Sequence, residues 1–149
     1  MSPGKLDQTS VRRHLLALDE VLTQLGRHVG QPIEALSQNV DERWTVERGL
    51  QLCVQNVLDI ATHLVASAGK DVPDYTTAID QLGALGIIPV ALATQLRPLA
   101  GVRNALVHGY LALDPTLVHS VLNQHLAQVR EFATHVERHT QTVAFTPES

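Results

Sequence analysis

The chain has 149 residues, enough for one domain that buries about 70% of its unfolded surface. Hydrophobic residues make up 44% of the sequence but aromatic residues only 3%, which favours aliphatic helix packing and argues against a β-sandwich. The formal net charge of −4 excludes a broad basic face for nucleic acid, so any contact with nucleic acid must come from a few local arginines.

After a first gap from Leu6 to Val11, apolar residues recur at intervals of three and four as far as Val29, which predicts a first amphipathic helix stopped by Gly30 and Pro32. The segment 31–39 that follows is predicted to be a loop. Asp41 is expected to cap the next helix, since a short acidic side chain can accept hydrogen bonds from the first turn.

A second long helix is predicted from Glu42 to Ala68, where Gly69 closes it. Its apolar residues, which include Trp44, cover a wide arc, so we expect this helix to be central. Gly49 costs about 1 kcal/mol relative to alanine inside a helix, and it indicates a close crossing with another helix.

Prolines and glycines divide the second half of the chain into shorter segments. Helices are predicted at 75–85, 90–96 and 99–111, with a last long helix after Asp114-Pro115. Residues 140–149 show no period and are predicted to form a flexible tail. Residues 1–139 are therefore expected to form a single all-α bundle of three long helices and several short ones.

The single cysteine, Cys53, cannot form an intrachain disulfide and is typical of a reducing compartment. Because it lies in an apolar run, it is predicted to be a small core residue rather than a reactive thiol. The sequence shows neither a signal peptide nor an apolar run of the ~20 residues that a membrane span needs. We therefore expect a soluble, cytoplasmic protein with no membrane contact.

The most informative string is GVRNALVHGY at residues 101–110, where Arg103, Asn104, His108 and Tyr110 stand among apolar or small residues. Arginine keeps its charge and presents a rigid fork that suits phosphate. Histidine is the side chain that exchanges a proton near neutral pH. A cation for phosphate beside a proton shuttle is the minimum that metal-free cleavage of RNA requires.

Helical geometry divides this string into two pairs. Arg103 and Tyr110 would share a face two turns apart, and Asn104 would lie one turn from His108, where its amide can orient the imidazole. Arg103 and His108 would lie about 140° apart around the axis, so one straight helix would not point both at one phosphate. The helix could begin or distort here, the arginine could curl round, or a twofold dimer could join two copies at one cleft. We favour the dimer, because it also supplies two histidines.

RNA cleavage by this route needs a base for the proton of the ribose 2′-hydroxyl, an acid for the leaving 5′-oxygen and a cation for the pentavalent phosphorane. The two His108 side chains of a dimer, or one histidine and a water molecule, could serve as base and acid. No metal ion or other cofactor is required. DNA lacks the 2′-hydroxyl and should not be cut.

The string RNALVHGY resembles the R-x4-H-x-Y motif of HEPN-domain proteins, specifically the HepT toxins of bacterial and archaeal toxin–antitoxin pairs. Residues 43–67 are similar to the second helix of that family, and residues 75–114 to the segment that leads into its motif. The resemblance implies a HEPN fold, a homodimer and a composite ribonuclease site with Arg103 and His108 catalytic. Asn104 matches the Arg-Asn pair of the family, in a supporting role.

The resemblance also implies a partner and a form of regulation. The partner would be a minimal nucleotidyltransferase antitoxin that transfers AMP from ATP to the tyrosine of the motif, here Tyr110. AMP on that residue would place a phosphate in the Arg103 fork and a nucleoside across the cleft.

Other residues have weaker claims. Asp59 and His63 lie one turn apart, as metal ligands can, but further ligands at suitable spacing are missing, so a structural pair is favoured over a pair lining the cleft. Glu47 is predicted to be a solvated or interfacial residue, and the less favoured alternative is again that it lines the cleft. Arg97 is the best candidate for a further phosphate contact. Tyr75 is predicted to be a packing residue, and stacking on a nucleic-acid base is left open as its alternative role.

Two other classes of function remain open at this point. The chain could be a non-catalytic helical dimer that serves as the binding or regulatory partner of a nucleotidyltransferase. It could also be a structural bundle in which the Arg-His pair is accidental. Growth arrest on expression of the chain alone would separate a nuclease from a scaffold, and AMP on Tyr110 would argue against an inert bundle.

Overall fold

The computed structural model describes residues 6–108 and 113–145, and within them it contains helices and no strand. This confirms the predicted all-α fold. The helices of the described part, in chain order, are α1 (Gln8–Gly26), α2 (Ile33–Gln38), α3 (Val40–Ser67), α4 (Tyr75–Ala84), α5 (Val90–Leu96), α6 (Pro98–Val107) and α7 (Pro115–Phe145). No helix in the described part is long and apolar enough to cross a membrane.

Helix α3 lies at the centre, as its wide apolar arc predicts, and packs against α1, α2, α4, α6 and α7. Val57, Leu58 and Ile60 are fully buried on it, and each contributes roughly 1.5–3 kcal/mol by leaving water. The close crossing expected at Gly49 is confirmed, since a Cβ there would lie 2.6 Å from Cδ2 of Leu25 on α1. A side chain at residue 49 would therefore force α1 and α3 apart or displace Leu25.

Several predictions for the first half of the chain are wrong. Helix α1 ends at Gly26 rather than near Gly30, and the last residue of its predicted seam, Val29, is 46% exposed. Trp44 is 65% exposed and does not belong to the core. The buried face of α3 therefore begins beyond Trp44, with Val46 as its first buried residue.

The segment between α1 and α3 also differs from the prediction. Residues 31–39 are not only a loop, because they contain α2, which buries Leu36. A helix this short has too few turns to show a hydrophobic period. Asn39, not Asp41, caps α3, and its Oδ1 accepts a hydrogen bond from the Glu42 backbone N–H at 3.1 Å. Asp41 lies in the first turn, where a negative charge still favours the helix.

The helix boundaries of the second half follow their prolines and caps. Asp74 caps α4 by accepting a 2.7 Å hydrogen bond from the Thr77 backbone N–H, and this bonding lowers the pKa of the Asp74 carboxyl. Asp114 caps the start of α7. That last helix continues to Phe145, so the predicted tail is wrong for residues 140–145, while 146–149 lie outside the described residues.

Cys53 should resist alkylation in the folded protein. Its side chain is 2% exposed, and burial raises the pKa of the thiol to about 12, so the reactive thiolate is scarce near neutral pH. We expect labelling by iodoacetamide at pH 8 to be slow in buffer and complete in guanidinium chloride, as read by intact mass. Rapid labelling of the folded chain would contradict its place in the core.

Candidate functional site

The arginine–histidine motif lies on α6 and just beyond its end. Arg103 and Asn104 are within the helix, which ends at Val107, and His108 is its exposed C-cap at φ −94°, ψ 5°. The predicted continuation of this helix to residue 111 is therefore wrong, since the helical geometry stops one residue before His108. Tyr110, and with it the expected neighbourhood of Tyr110 and Arg103, lies outside the described residues.

Arg103 is held by neutral groups from two other helices. Its Nε donates to Oε1 of Gln55 on α3 at 3.3 Å. Its guanidinium carbon lies 5.4 Å from the ring centroid of Tyr75 at the start of α4, a cation–π contact. A long 3.5 Å contact joins its Nη1 to Oδ1 of the neighbouring Asn104. The guanidinium is thus oriented while several of its N–H donors stay available.

No carboxylate within the described residues pairs directly with Arg103. The ion pairs in that part of the chain join His28 to Glu42 at 3.0 Å and Arg97 to Asp80 at 2.9 Å. A partly buried arginine with neutral partners keeps its full charge for an anion that arrives from solvent. This arrangement fits a binding site for phosphate.

Gln55 is fixed in turn by Asp59, one helical turn further along α3. Nε2 of Gln55 donates to Oδ1 of Asp59 at 2.8 Å and lies 3.4 Å from the Tyr75 hydroxyl oxygen. An ionised carboxylate can only accept, so it holds the amide nitrogen of Gln55 and leaves the amide oxygen for Arg103. Asp59 therefore acts on Arg103 indirectly, by fixing the orientation of the Gln55 amide.

Sequence reasoning did not single out Gln55, and it treated Tyr75 chiefly as a packing residue. Tyr75 does pack against the core, but it also carries the cation–π contact with Arg103. A signal for Gln55 was present, because Gln55 and Asp59 are polar residues one turn apart in the most buried stretch of α3. That pattern indicates a polar contact with another element, although it does not say which one.

The Asn104–His108 and Asp59–His63 pairs, each one helical turn apart in the sequence, do not form side-chain hydrogen bonds within the described residues. Asn104 directs its amide oxygen toward Arg103, and no hydrogen bond joins its side chain to that of His108. Asp59 and His63 are not partners of each other, because Nε2 of His63 accepts from the Asp7 backbone N–H at 3.1 Å. His63 thus anchors the start of α1. No group of three or more potential metal ligands occurs in the described part of the chain.

Arg97 and Glu47 lie apart from this cluster. Arg97 pairs with Asp80 on the surface, where both side chains are about half exposed. Glu47 precedes Gln55 by roughly 12 Å along the axis of α3. Partial burial raises the pKa of the Glu47 carboxyl, and the charge of nearby Arg43 partly offsets this. Neither residue contacts Arg103.

Comparisons with known proteins agree with this fold and identify a family. The model of the family "Ribonuclease HepT-like" matches residues 11–136. A putative RNase of Archaeoglobus fulgidus is 32% identical over 118 residues, which cover 79% of this chain and 83% of the relative. The tRNA nuclease HepT of Aphanizomenon flos-aquae is 27% identical over 125 residues, covering 83% and 84%.

A solved structure shares the fold. The tri-AMPylated HEPN toxin of Shewanella oneidensis, solved in complex with an MNT antitoxin, superposes with a TM-score of 0.74 at 20% identity. The match covers 86% of this chain and 96% of the toxin. The family match spans most of the described helices, and the resemblance inferred from RNALVHGY is confirmed. The chain belongs to the ribonuclease HepT-like family.

Proposed function

We propose that the chain is the toxin of a toxin–antitoxin pair, a metal-independent endoribonuclease in which Arg103 and His108 are catalytic. The observation that carries this proposal is the oriented Arg103 guanidinium, held by Gln55 and Tyr75 without a direct carboxylate partner within the described residues. An arginine in this state binds phosphate and stabilises the charge that develops on it. The similarity to a tRNA nuclease and to a HEPN toxin also supports this proposal.

The reaction follows from the groups on α6. A base removes the proton of the ribose 2′-hydroxyl, and the 2′-oxygen attacks the adjacent phosphorus. Arg103 stabilises the pentavalent phosphorane, the bond from phosphorus to the 5′-oxygen breaks, and an acid protonates that oxygen. The products are a 2′,3′-cyclic phosphate and a 5′-hydroxyl. Exposed at the helix end, His108 can reach solvent and substrate and supplies the base or the acid.

A homodimer completes the site in this proposal. His108 lies just beyond the end of α6, and no hydrogen bond joins its side chain to that of Arg103 within the described residues. A second copy related by a twofold axis brings another arginine and another histidine to the same cleft. One histidine then acts as base and the other as acid.

The cognate antitoxin in this proposal is a nucleotidyltransferase that transfers AMP from ATP to Tyr110. The described complex of an AMPylated HEPN toxin with its antitoxin supports this assignment. RNA and ATP are both abundant in the cytoplasm, which is where we place the reaction.

Asn104, which contacts Arg103, supports the orientation of the guanidinium.

RNA cleavage by the purified chain tests the proposed activity. We expect the chain, prepared without its antitoxin, to degrade single-stranded RNA in EDTA and to leave DNA of the same sequence intact. Expression of the chain alone should arrest growth. A harmless chain that cuts no RNA would support the alternative, a non-catalytic partner of a nucleotidyltransferase.

Replacing Gln55 with glutamate should lower RNA cleavage by about tenfold or more. The new carboxylate would pair with Arg103, so that the phosphate of the substrate must compete with it. Single-turnover cleavage measures the effect, and thermal melting checks the fold. The matched control is Gln51→Glu, one turn earlier on α3, where the side chain contacts Arg48 instead. Equal rates for both variants would contradict the need for an unpaired Arg103.

Tyr110→Phe should make the toxin insensitive to its antitoxin. Without the phenolic oxygen AMP has no acceptor at this position, so the variant should stay toxic and active when its cognate nucleotidyltransferase is co-expressed. Intact mass should show AMP on the unmodified sequence and none at this site in the variant. Silencing of Tyr110→Phe by the antitoxin would place the modification on another residue.

A further inference from the structure

A cleft of about 590 Å³ opens beside the Arg103 cluster, between α3, the start of α4 and α6. Its volume is typical of a site for a small organic group. The residues that line it include Thr62, Val72, Asp74, Tyr75, Gly101 and Asn104. Two of them, Tyr75 and Asn104, also contact Arg103, so a group bound in the cleft adjoins the guanidinium.

We propose that this cleft binds one base of the RNA substrate, next to the phosphate held by Arg103. The proposal rests on the ribonuclease function proposed above and adds a subsite to it. An unpaired nucleobase is flat, mostly apolar on its faces and polar at its edges. The cleft offers the same combination, with the Tyr75 ring and the Val72 side chain as apolar walls and Thr62 and Asn104 as polar groups.

The charges around the cleft favour a base over a phosphate. No lysine or arginine lines it, and Asp74 is the ionisable acid at its edge. Hydrogen bonds from Thr77 lower the pKa of the Asp74 carboxyl, so this group is negative at neutral pH. A phosphate would be repelled there, whereas the amino groups of a base can donate to the carboxylate. The phosphate is thus directed to Arg103 and the base to the cleft.

Two polar side chains of the cleft have hydrogen-bonding capacity to spare. The hydroxyl oxygen of Thr62 is shielded from water and has no hydrogen-bond partner within the described residues. Leaving a buried hydroxyl unpaired is unfavourable, and rotation about its Cα–Cβ bond can offer it to a ligand. Asn104 uses its amide oxygen toward Arg103, which leaves its NH2 group for a base edge.

Gly101 gives a way to close the cleft without disturbing the fold. A Cβ built at this position on α6 meets no other atom within 4 Å, so the added side chain enters open space. Leucine is also a better helix former than glycine. Gly101→Leu should therefore fold at least as stably as the original chain while it occupies the space of the base. Ala91→Leu, on the exposed face of α5 and outside the cleft, is the matched control.

Binding of a short RNA whose 2′-hydroxyls are all methylated tests the subsite, because such an RNA cannot be cleaved. A single abasic residue is moved through its sequence, and fluorescence anisotropy gives each affinity. For the original chain and for Ala91→Leu, we expect one abasic position to weaken binding by about tenfold, as loss of one stacked base does. In Gly101→Leu that position should lose its effect, and the intact RNA should bind as weakly as the abasic one.

The outcomes separate the subsite from the catalytic proposal. No sensitive position in the original chain, or the same sensitive position in Gly101→Leu, overturns the subsite. If ordinary RNA is nevertheless cut in EDTA, the ribonuclease function stands without it. If the positional effect and its loss in Gly101→Leu appear but no RNA is cut, the cleft binds a base and the catalytic assignment fails.

Discussion

Replacing Arg103 with lysine should lower the rate of RNA cleavage by about a hundredfold or more, the usual effect of removing a preorganised group that stabilises transition-state charge. Lysine keeps the positive charge but loses the planar fork. An ammonium group cannot donate to Gln55 and at the same time present two parallel N–H groups to a phosphate. The loss should therefore appear although the net charge of the chain is unchanged.

Single-turnover cleavage of a labelled RNA measures this effect. Arg13→Lys, on the exposed face of α1, is the matched control and should cleave at the original rate. Thermal melting should show both variants folded, since Arg103 is only partly buried. A lysine variant with nearly full activity would mean that Arg103 contributes charge alone and that its orientation by Gln55 and Tyr75 is incidental.

The helices were largely predictable because their signals are local. Caps such as Asp74, the helix-starting prolines and the apolar period of α3 each act within a few residues. The errors arose where a boundary depends on tertiary contacts. Trp44 has an apolar side chain but stays exposed, and α2 is too short to show a period although Leu36 anchors it to the core.

Only part of the candidate site could be proposed from the sequence. Arg103 and His108 remain candidates taken from the motif, because their chemistry and spacing are contained in one string. Gln55 and Tyr75 could not be assigned to Arg103, since both come from distant parts of the chain and only the packing of α3, α4 and α6 joins them. The positions expected from an ideal helix also failed beyond Val107. They assume a helix that continues to residue 111, whereas α6 ends before His108.

The acidic composition of the chain is compatible with a ribonuclease of this design. With 15 acidic against 11 basic residues, RNA cannot be held by a general basic surface. In the proposed function, an oriented arginine with no direct carboxylate partner in the described structure would supply local charge for the phosphate, and a base in the neighbouring cleft would add affinity that does not depend on charge. Recognition would then rely on a few contacts with unpaired RNA.

Replacing His108 with alanine should lower the rate of RNA cleavage by about 10²–10⁴-fold, the range for loss of a positioned acid or base. The side chain is exposed at the helix end and bonds to no other side chain within the described residues, so its removal should leave the melting temperature nearly unchanged. The control is His125→Ala on α7, whose imidazole contacts Gln128. Full activity in His108→Ala would remove this residue from the catalytic site.

Mixed dimers show whether one histidine or two are needed. The original chain and His108→Ala are co-refolded in varying ratios, so that subunits combine at random, and cleavage is measured at constant total protein. If base and acid come from the two His108 residues of a dimer, only dimers with both histidines are fully active, and activity falls with the square of the fraction of original chain. If each chain acts alone with water as its second proton carrier, activity falls linearly. A linear response would therefore contradict the composite site while leaving His108 catalytic.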